Sequence, residues 1–201
     1  MMANTSTFKK TIWAMVALCA AILGLVAYGQ WTGEGVKPDM ASFGAPLKLA
    51  SSKGGELNSA SLQGKPYGIF FGFTHCPEVC PTTLSDMSVA LKDLGDQAKD
   101  FKLLFVTVDP ERDTVPVVKD YLANFDPRIE GLVPSLDELP KVARSFHIYY
   151  KKEPTSDGSY TMDHTATLFL LDKNGALKST ISFDENRDTR VKKLTKLLAG
   201  G

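Results

Sequence analysis

The chain has 201 residues, 43% of them apolar and 23% charged, a composition of folded globular protein rather than of a disordered or fibrous one. Lysine and arginine balance aspartate and glutamate to a formal charge of zero, which argues against a nucleic-acid partner. One domain with an appendage is the organisation this length favours.

The appendage comes first. Residues 1–10 form a short tail ending in Lys9 and Lys10, after which no residue from Thr11 to Gly33 is charged and Ile12 to Gly29 is apolar almost throughout. A helix needs about 20 such residues to cross a bilayer, whereas the apolar part of a signal peptide takes about 7 to 15. Residues 11–31 are therefore expected to be a transmembrane anchor, with a cleaved signal ending near Ala27-Tyr28-Gly29 as the alternative. The two lysines keep the tail cytoplasmic and place the rest of the chain beyond the membrane. Without an arginine-rich presequence, the expected setting is a bacterial inner membrane, crossed once, with the soluble domain in the periplasm. Cys19 reads as a membrane-facing apolar residue, because bulky Leu18 precedes it where a lipoprotein would need a small one. Residues 32–45 mix glycine, proline and polar residues without periodicity, as a linker does, and 46–201 form the exported domain.

Within the domain, Leu47 and Leu49 alternate with polar neighbours, and Gly54-Gly55 turns the chain back toward Glu56 and Leu57, predicting a small hairpin. Tyr67–Phe73 and Lys102–Val108 are continuous apolar runs, the pattern of strands covered on both faces. Between them Leu84, Met87, Ala90, Leu91 and Leu94 recur at helical spacing. Strand, helix, strand at this scale predicts parallel neighbours and a right-handed crossover, with the turn after the first strand where open α/β sheets place their sites.

That turn, Phe71 to Leu84, is FGFTHCPEVCPTTL and carries Cys76 and Cys80, the only cysteines beyond the apolar N-terminal stretch. Residues four apart on a helix hold their Cβ atoms about 5 to 6 Å apart, which suits one shared metal ion or a redox disulfide. A plain structural staple is the third option, but so short a loop constrains the unfolded chain little. Pro77 and Pro81 mark a helix start, with Thr82 and Thr83 available to cap free N–H groups and the macrodipole favouring a Cys80 thiolate.

VDPERDT, Val108 to Thr114, follows the next strand. Asp109, Glu111, Arg112 and Asp113 could form an acid-base cluster, but a charged loop that caps a helix and ion-pairs locally is the commoner explanation, and its place after a strand leaves it a candidate wall of the site. Val117, Val118, Tyr121, Leu122 and Phe125 predict a second helix, and the capping box Ser135–Glu138 opens a third through about Phe146. Ile148–Tyr150 is expected to be a strand and Pro154–Ser159 a turn-rich excursion. Thr167–Leu171 and Leu177–Ser182 flank Asp172-Lys173-Asn174-Gly175 as a hairpin, and Val191, Leu194, Leu197 and Leu198 predict the last helix.

Of three histidines, His75 points away from its neighbour Cys76 and reads as a wall residue, and His147 has no soft neighbour in sequence. His164, in MDHTATLFLLD, is expected in the loop leading to the late hairpin, which such a sheet can bring over the cysteine end. Two thiolates and one imidazole make a soft, low-coordinate set suited to Cu(I), where structural zinc normally takes a fourth ligand. Met162 is a candidate weak soft donor, a chance methionine being the commoner reading, and Asp163 is a carboxylate able to orient the imidazole.

The runs GFTHCPEVCPTTL, VDPERDT and DHT, in this order behind one apolar stretch, resemble the Sco (SenC, PrrC) family of copper-binding assembly factors for cytochrome c oxidase, from about Phe43 to Leu198. The resemblance implies a thioredoxin-like α/β fold, a central mixed sheet flanked by helices with an N-terminal hairpin. It also implies copper held by Cys76, Cys80 and His164, and help in building the copper A centre of oxidase subunit II. A copper donor protein and a thiol reductant are the further partners expected. Two functional classes stay open: a metallochaperone, and a thiol-disulfide oxidoreductase in which Cys76 and Cys80 are the catalytic redox pair. Three residues between the cysteines, and no proline just before Thr167, argue against a general disulfide exchanger. A peroxidase or redox sensor fits less well, because Pro81, Thr82 and Thr83 follow Cys80 instead of preceding a reactive cysteine.

Overall fold

A computed structural model describes residues 12–24, 43–44 and 46–200. Helix α1 (12–24) and the body after it are separate compact units. Among the described residues no helix is long and apolar enough to cross a membrane. The remainder of the expected anchor, 11 and 25–31, and the linker up to 42 lie outside the described residues.

The body contains β1 (Lys48–Ser51), β2 (Glu56–Asn58), β3 (Tyr67–Gly72), β4 (Lys102–Thr107), β5 (Ile129–Val133), β6 (Tyr150–Pro154), β7 (Tyr160–His164), β8 (Thr167–Leu171) and β9 (Leu177–Ser182). Seven of these make one mixed sheet in the order β2-β1-β5-β4-β3-β8-β9, and β6 pairs with β7 in a hairpin of its own. The helices are α2 (Val79–Leu94), α3 (Val115–Leu122), α4 (Leu139–Ser145) and α5 (Arg187–Leu198).

The two apolar runs form the centre of the sheet. Strand β3 is buried at every position and pairs parallel with β4, Tyr67 opposite Lys102 through Gly72 opposite Thr107, as expected for strands covered on both faces. Alternation along β3 divides the core. Phe70 and Gly72 face the side where α2 lays Cys80, Phe105 packs against Tyr121 of α3, and α5 packs on α2. Phe71 faces the other side, where its ring meets Phe146 at the end of α4, and Phe43 packs on Phe146 and Phe169.

Sheet direction positions the site. Because β3 and β4 are parallel, the cysteine turn and the 108–114 loop leave from the same end of the sheet. Strand β8 runs antiparallel to β3, with Phe70 opposite Leu168, so β8 begins at that end. A residue shortly before Thr167 must therefore arrive near the cysteines.

The structure departs from expectation in three places. Strand β5 has no counterpart among the expected elements, because Glu130 and Gly131 interrupt its apolar run. Glu130 is buried there, accepting from Ser51 Oγ at 2.7 Å and Lys102 Nζ at 3.0 Å, and Gly131 leaves room for Val118 and Leu122 of α3. The strand expected at Ile148–Tyr150 instead begins at Tyr150, and Pro154–Ser159 spans the tip of the β6–β7 hairpin. Its outer residues Lys151, Lys152 and Asp163 are solvent-facing, so no continuous apolar run announces these strands. The capping box forms, Ser135 N–H donating to Glu138 Oε2 at 2.8 Å and Glu138 N–H to Ser135 Oγ at 3.3 Å, but it closes the turn before α4.

Candidate metal centre

Cys76 lies in the turn after β3, and Cys80 is the second residue of α2. The threonines do not cap this helix: Thr83 Oγ1 is buried without a hydrogen-bond partner among the described residues. The cap is the Cys76 sulfur, which accepts from the Cys80 N–H at 3.3 Å. Cys80 is fully buried, its sulfur pressed onto β3 at Gly72, where an added Cβ would lie 2.8 Å from that sulfur and 2.8 Å from the Phe105 ring.

Proton sharing between the sulfurs follows from this asymmetry. The hydrogen bond from the Cys80 thiol, joined by the N–H groups of Cys80 and Glu78, outweighs burial and lowers the Cys76 pKa to about 4. Cys80 moves up, through the hydrogen bond it gives Cys76, through burial, and through the charge on Cys76. The thiolate thus sits on the half-buried Cys76 and not, as the macrodipole suggested, on Cys80.

Cys76 is accordingly expected to alkylate with iodoacetamide at a constant rate from neutral pH downward, the rate falling only as the pH drops through about 4. Thiolate is the form populated above the pKa, so an ordinary thiol would instead slow below about 8.5. Mass spectrometry of the Cys76 peptide across pH reads this directly, and a midpoint near that of a free cysteine contradicts the shared proton.

His164 is the last residue of β7, paired with Tyr150, and not in a loop. Its Nδ1 lies 3.2 Å from the carbonyl oxygen of Thr165, which can only accept, so Nδ1 carries the proton. Nε2 then faces the sulfurs with its lone pair, 3.5 Å from Cys80 Sγ. Edge-on contacts with Phe73 at 5.7 Å and Phe70 at 6.4 Å hold the ring. Orientation expected from Asp163 comes instead from the Thr165 carbonyl, since Asp163 is exposed opposite Lys151. Met162 is buried in the core.

One donor atom each from Cys76, Cys80 and His164 lies within 4.8 Å of the others. Two sulfurs sharing one ion at about 2.3 Å each sit at most about 4.6 Å apart, a span that matches this donor set. His75 stays on the rim, half exposed, with Nδ1 3.1 Å from Thr74 Oγ1 and 3.7 Å from Asp113. His147 adopts φ +54 and packs its ring toward Phe43.

The 108–114 loop makes the expected local ion pair, Arg112 Nε to Asp109 Oδ2 at 2.5 Å, but it also reaches further. Asp113 is fully buried and accepts from Thr74 N–H at 2.9 Å, Thr74 Oγ1 at 2.6 Å and Thr107 Oγ1 at 2.6 Å, tying the cysteine turn to the end of β4. Sequence reasoning misses Thr74, Thr165 and Tyr160. The one available signal is the alternation Tyr160, Met162, His164.

Fold and site together define a class: a thioredoxin-like domain whose βα turn and late strand bring two thiols and one imidazole into a site able to hold a metal ion. A family profile described as SCO1/SenC matches residues 36–199, and the chain belongs to that family. It is 37% identical over 139 residues to the mitochondrial protein SCO1 homolog 1 of Arabidopsis thaliana, a match covering 69% of this chain and 42% of that protein. It is 35% identical over 139 residues to a SCO2-like protein of Rickettsia prowazekii, covering 68% of each. The structure of Bradyrhizobium japonicum ScoI with copper bound aligns with a TM-score of 0.71 at 42% identity, over 77% of this chain and 99% of that one.

Proposed function

We propose that the chain binds copper through Cys76 Sγ, Cys80 Sγ and His164 Nε2 and delivers it to the copper A centre of cytochrome c oxidase subunit II. The observation that carries this reading is the convergence of the three donor atoms within 4.8 Å, and the copper-bound Bradyrhizobium relative supports it. Thiolates and imidazole suit Cu(I), and binding requires the proton on Cys80 to leave, so affinity falls on acidification or on oxidation of the pair. Half-buried Cys76 is the side from which an acceptor's ligand can reach the ion. The charge pattern around residues 11–31 supports a single-pass inner-membrane anchor, with the linker at 32–45 and the domain at 46–201 in the periplasm. In that oxidising compartment a copper donor protein and a thiol reductant are the partners required.

A second reading, thiol-disulfide oxidoreduction, is favoured by one observation: the half-buried Cys76 sulfur accepts the Cys80 N–H at the start of α2, 3.3 Å away, beside a fully buried Cys80. Cys76 would attack a disulfide of the acceptor subunit, Cys80 would resolve the mixed disulfide, and two electrons would pass to the acceptor's sulfurs. Mixing the Cu(I)-loaded full chain with the metal-free, dithiol form of the subunit II copper domain separates the two. Delivery predicts copper moving to the acceptor in step with its loss from this chain. Retention of copper there, with reduction of the acceptor's disulfide form by the metal-free, reduced chain in a parallel mixture, favours the second reading.

A further inference from the structure

We infer that Arg112, with Asp109 and Tyr160, positions His164 against the sulfur pair, an inference that rests on the copper-binding reading. Residues of one strand alternate in direction, so Tyr160, Met162 and His164 share a face of β7, with Tyr160 and His164 about 13 Å apart at its two ends. The Tyr160 end is gripped on several sides. Arg112 Nη1 donates to the Tyr160 carbonyl at 3.0 Å, its guanidinium lies 3.7 Å from the centre of the Tyr160 ring, and Tyr160 OH donates to Asp109 Oδ1 at 3.0 Å. Arg112 Nε closes the triangle on Asp109, and Lys152 of β6 lies 4.3 Å from the ring centre while bonding the Glu111 carboxylate.

The hairpin needs this grip because β6 and β7 pair only with each other and not with the main sheet. Its fixed points are the Thr165 N–H to Tyr149 carbonyl bond at the base, buried Met162 in the middle, and the Arg112 cluster at the far end. The same loop holds the other half of the site, since Asp113 binds Thr74, two residues before Cys76. Residues 109–113 therefore set the separation between imidazole and sulfurs. Arginine suits the position because its planar fork stacks on a ring and donates sideways at once, which an ammonium cannot do.

The test is Cu(I) affinity of the full reduced chain, by competition with a chromophoric chelator, for Arg112→Ala, His164→Ala and the double variant. Arg112→Ala is expected to weaken binding roughly tenfold, the range seen when a ligand's outer support is removed. In the His164→Ala background the same substitution should cost nothing further, because its effect passes through the missing imidazole. An additive loss in the double variant, or unchanged affinity in Arg112→Ala beside a large loss in His164→Ala, overturns the positioning role and leaves the copper reading standing. No loss in His164→Ala removes the copper reading and this inference with it. Should Arg112→Ala fail to fold, Arg112→Lys keeps the charge without the fork and is judged by the same outcomes.

Discussion

Replacing His164 with alanine is expected to weaken Cu(I) binding by roughly a hundredfold or more, at least the upper end of what loss of a mere outer-shell partner costs. Nε2 lies 3.5 Å from Cys80 Sγ, and the Thr165 carbonyl holds the ring in the tautomer that leaves it unprotonated. Without it copper is left with two sulfurs. The fold should barely notice, since the ring is only half buried and contributes edge contacts to Phe73 and Phe70, so apo stability should change by about 1 kcal/mol or less. Chelator competition and thermal unfolding of the same preparation check both halves. The variant also separates the two functional readings, because dithiol exchange by Cys76 and Cys80 has no need of the imidazole as a ligand.

Asp113→Ala is expected to produce the largest stability loss, about 3 kcal/mol by denaturant unfolding. The carboxylate is fully buried and accepts from three donors, Thr74 N–H, Thr74 Oγ1 and Thr107 Oγ1. Alanine leaves those donors unpaired, at about 1 to 3 kcal/mol for each that stays buried, with the half-buried Thr74 pair partly rescued by water. Asp113→Asn should cost less, since one carbonyl oxygen still accepts. Copper affinity should fall as well, because Thr74 anchors the turn two residues before Cys76. A loss well under 1 kcal/mol in Asp113→Ala would show that the cysteine turn is held by its own backbone.

Much of this arrangement was legible in the residues, for identifiable reasons. Two central strands covered on both faces announce themselves as apolar runs, and parallel pairing then fixes which end of the sheet carries Cys76 and Cys80. Antiparallel pairing of β8 with β3 makes the arrival of His164 a matter of strand direction. What stayed hidden depends on partners distant in sequence. Glu130 disguised β5 because its charge looks like exposure until Ser51 and Lys102 are beside it. The half-exposed β6–β7 hairpin gave no apolar run. The helix cap fell to the Cys76 sulfur instead of a threonine because the turn folds back over the N-terminus of α2. VDPERDT looked like a local ion-pairing loop, and its reach to Thr74 and Tyr160 emerges only when three chain segments meet.

The most direct test of a three-donor copper site is X-ray absorption at the copper edge on the full chain, reduced and loaded with one equivalent of Cu(I). Two sulfur neighbours and one nitrogen are expected, the nitrogen vanishing in His164→Ala. Sulfur-only coordination in the unaltered protein would contradict the site built from Cys76, Cys80 and His164.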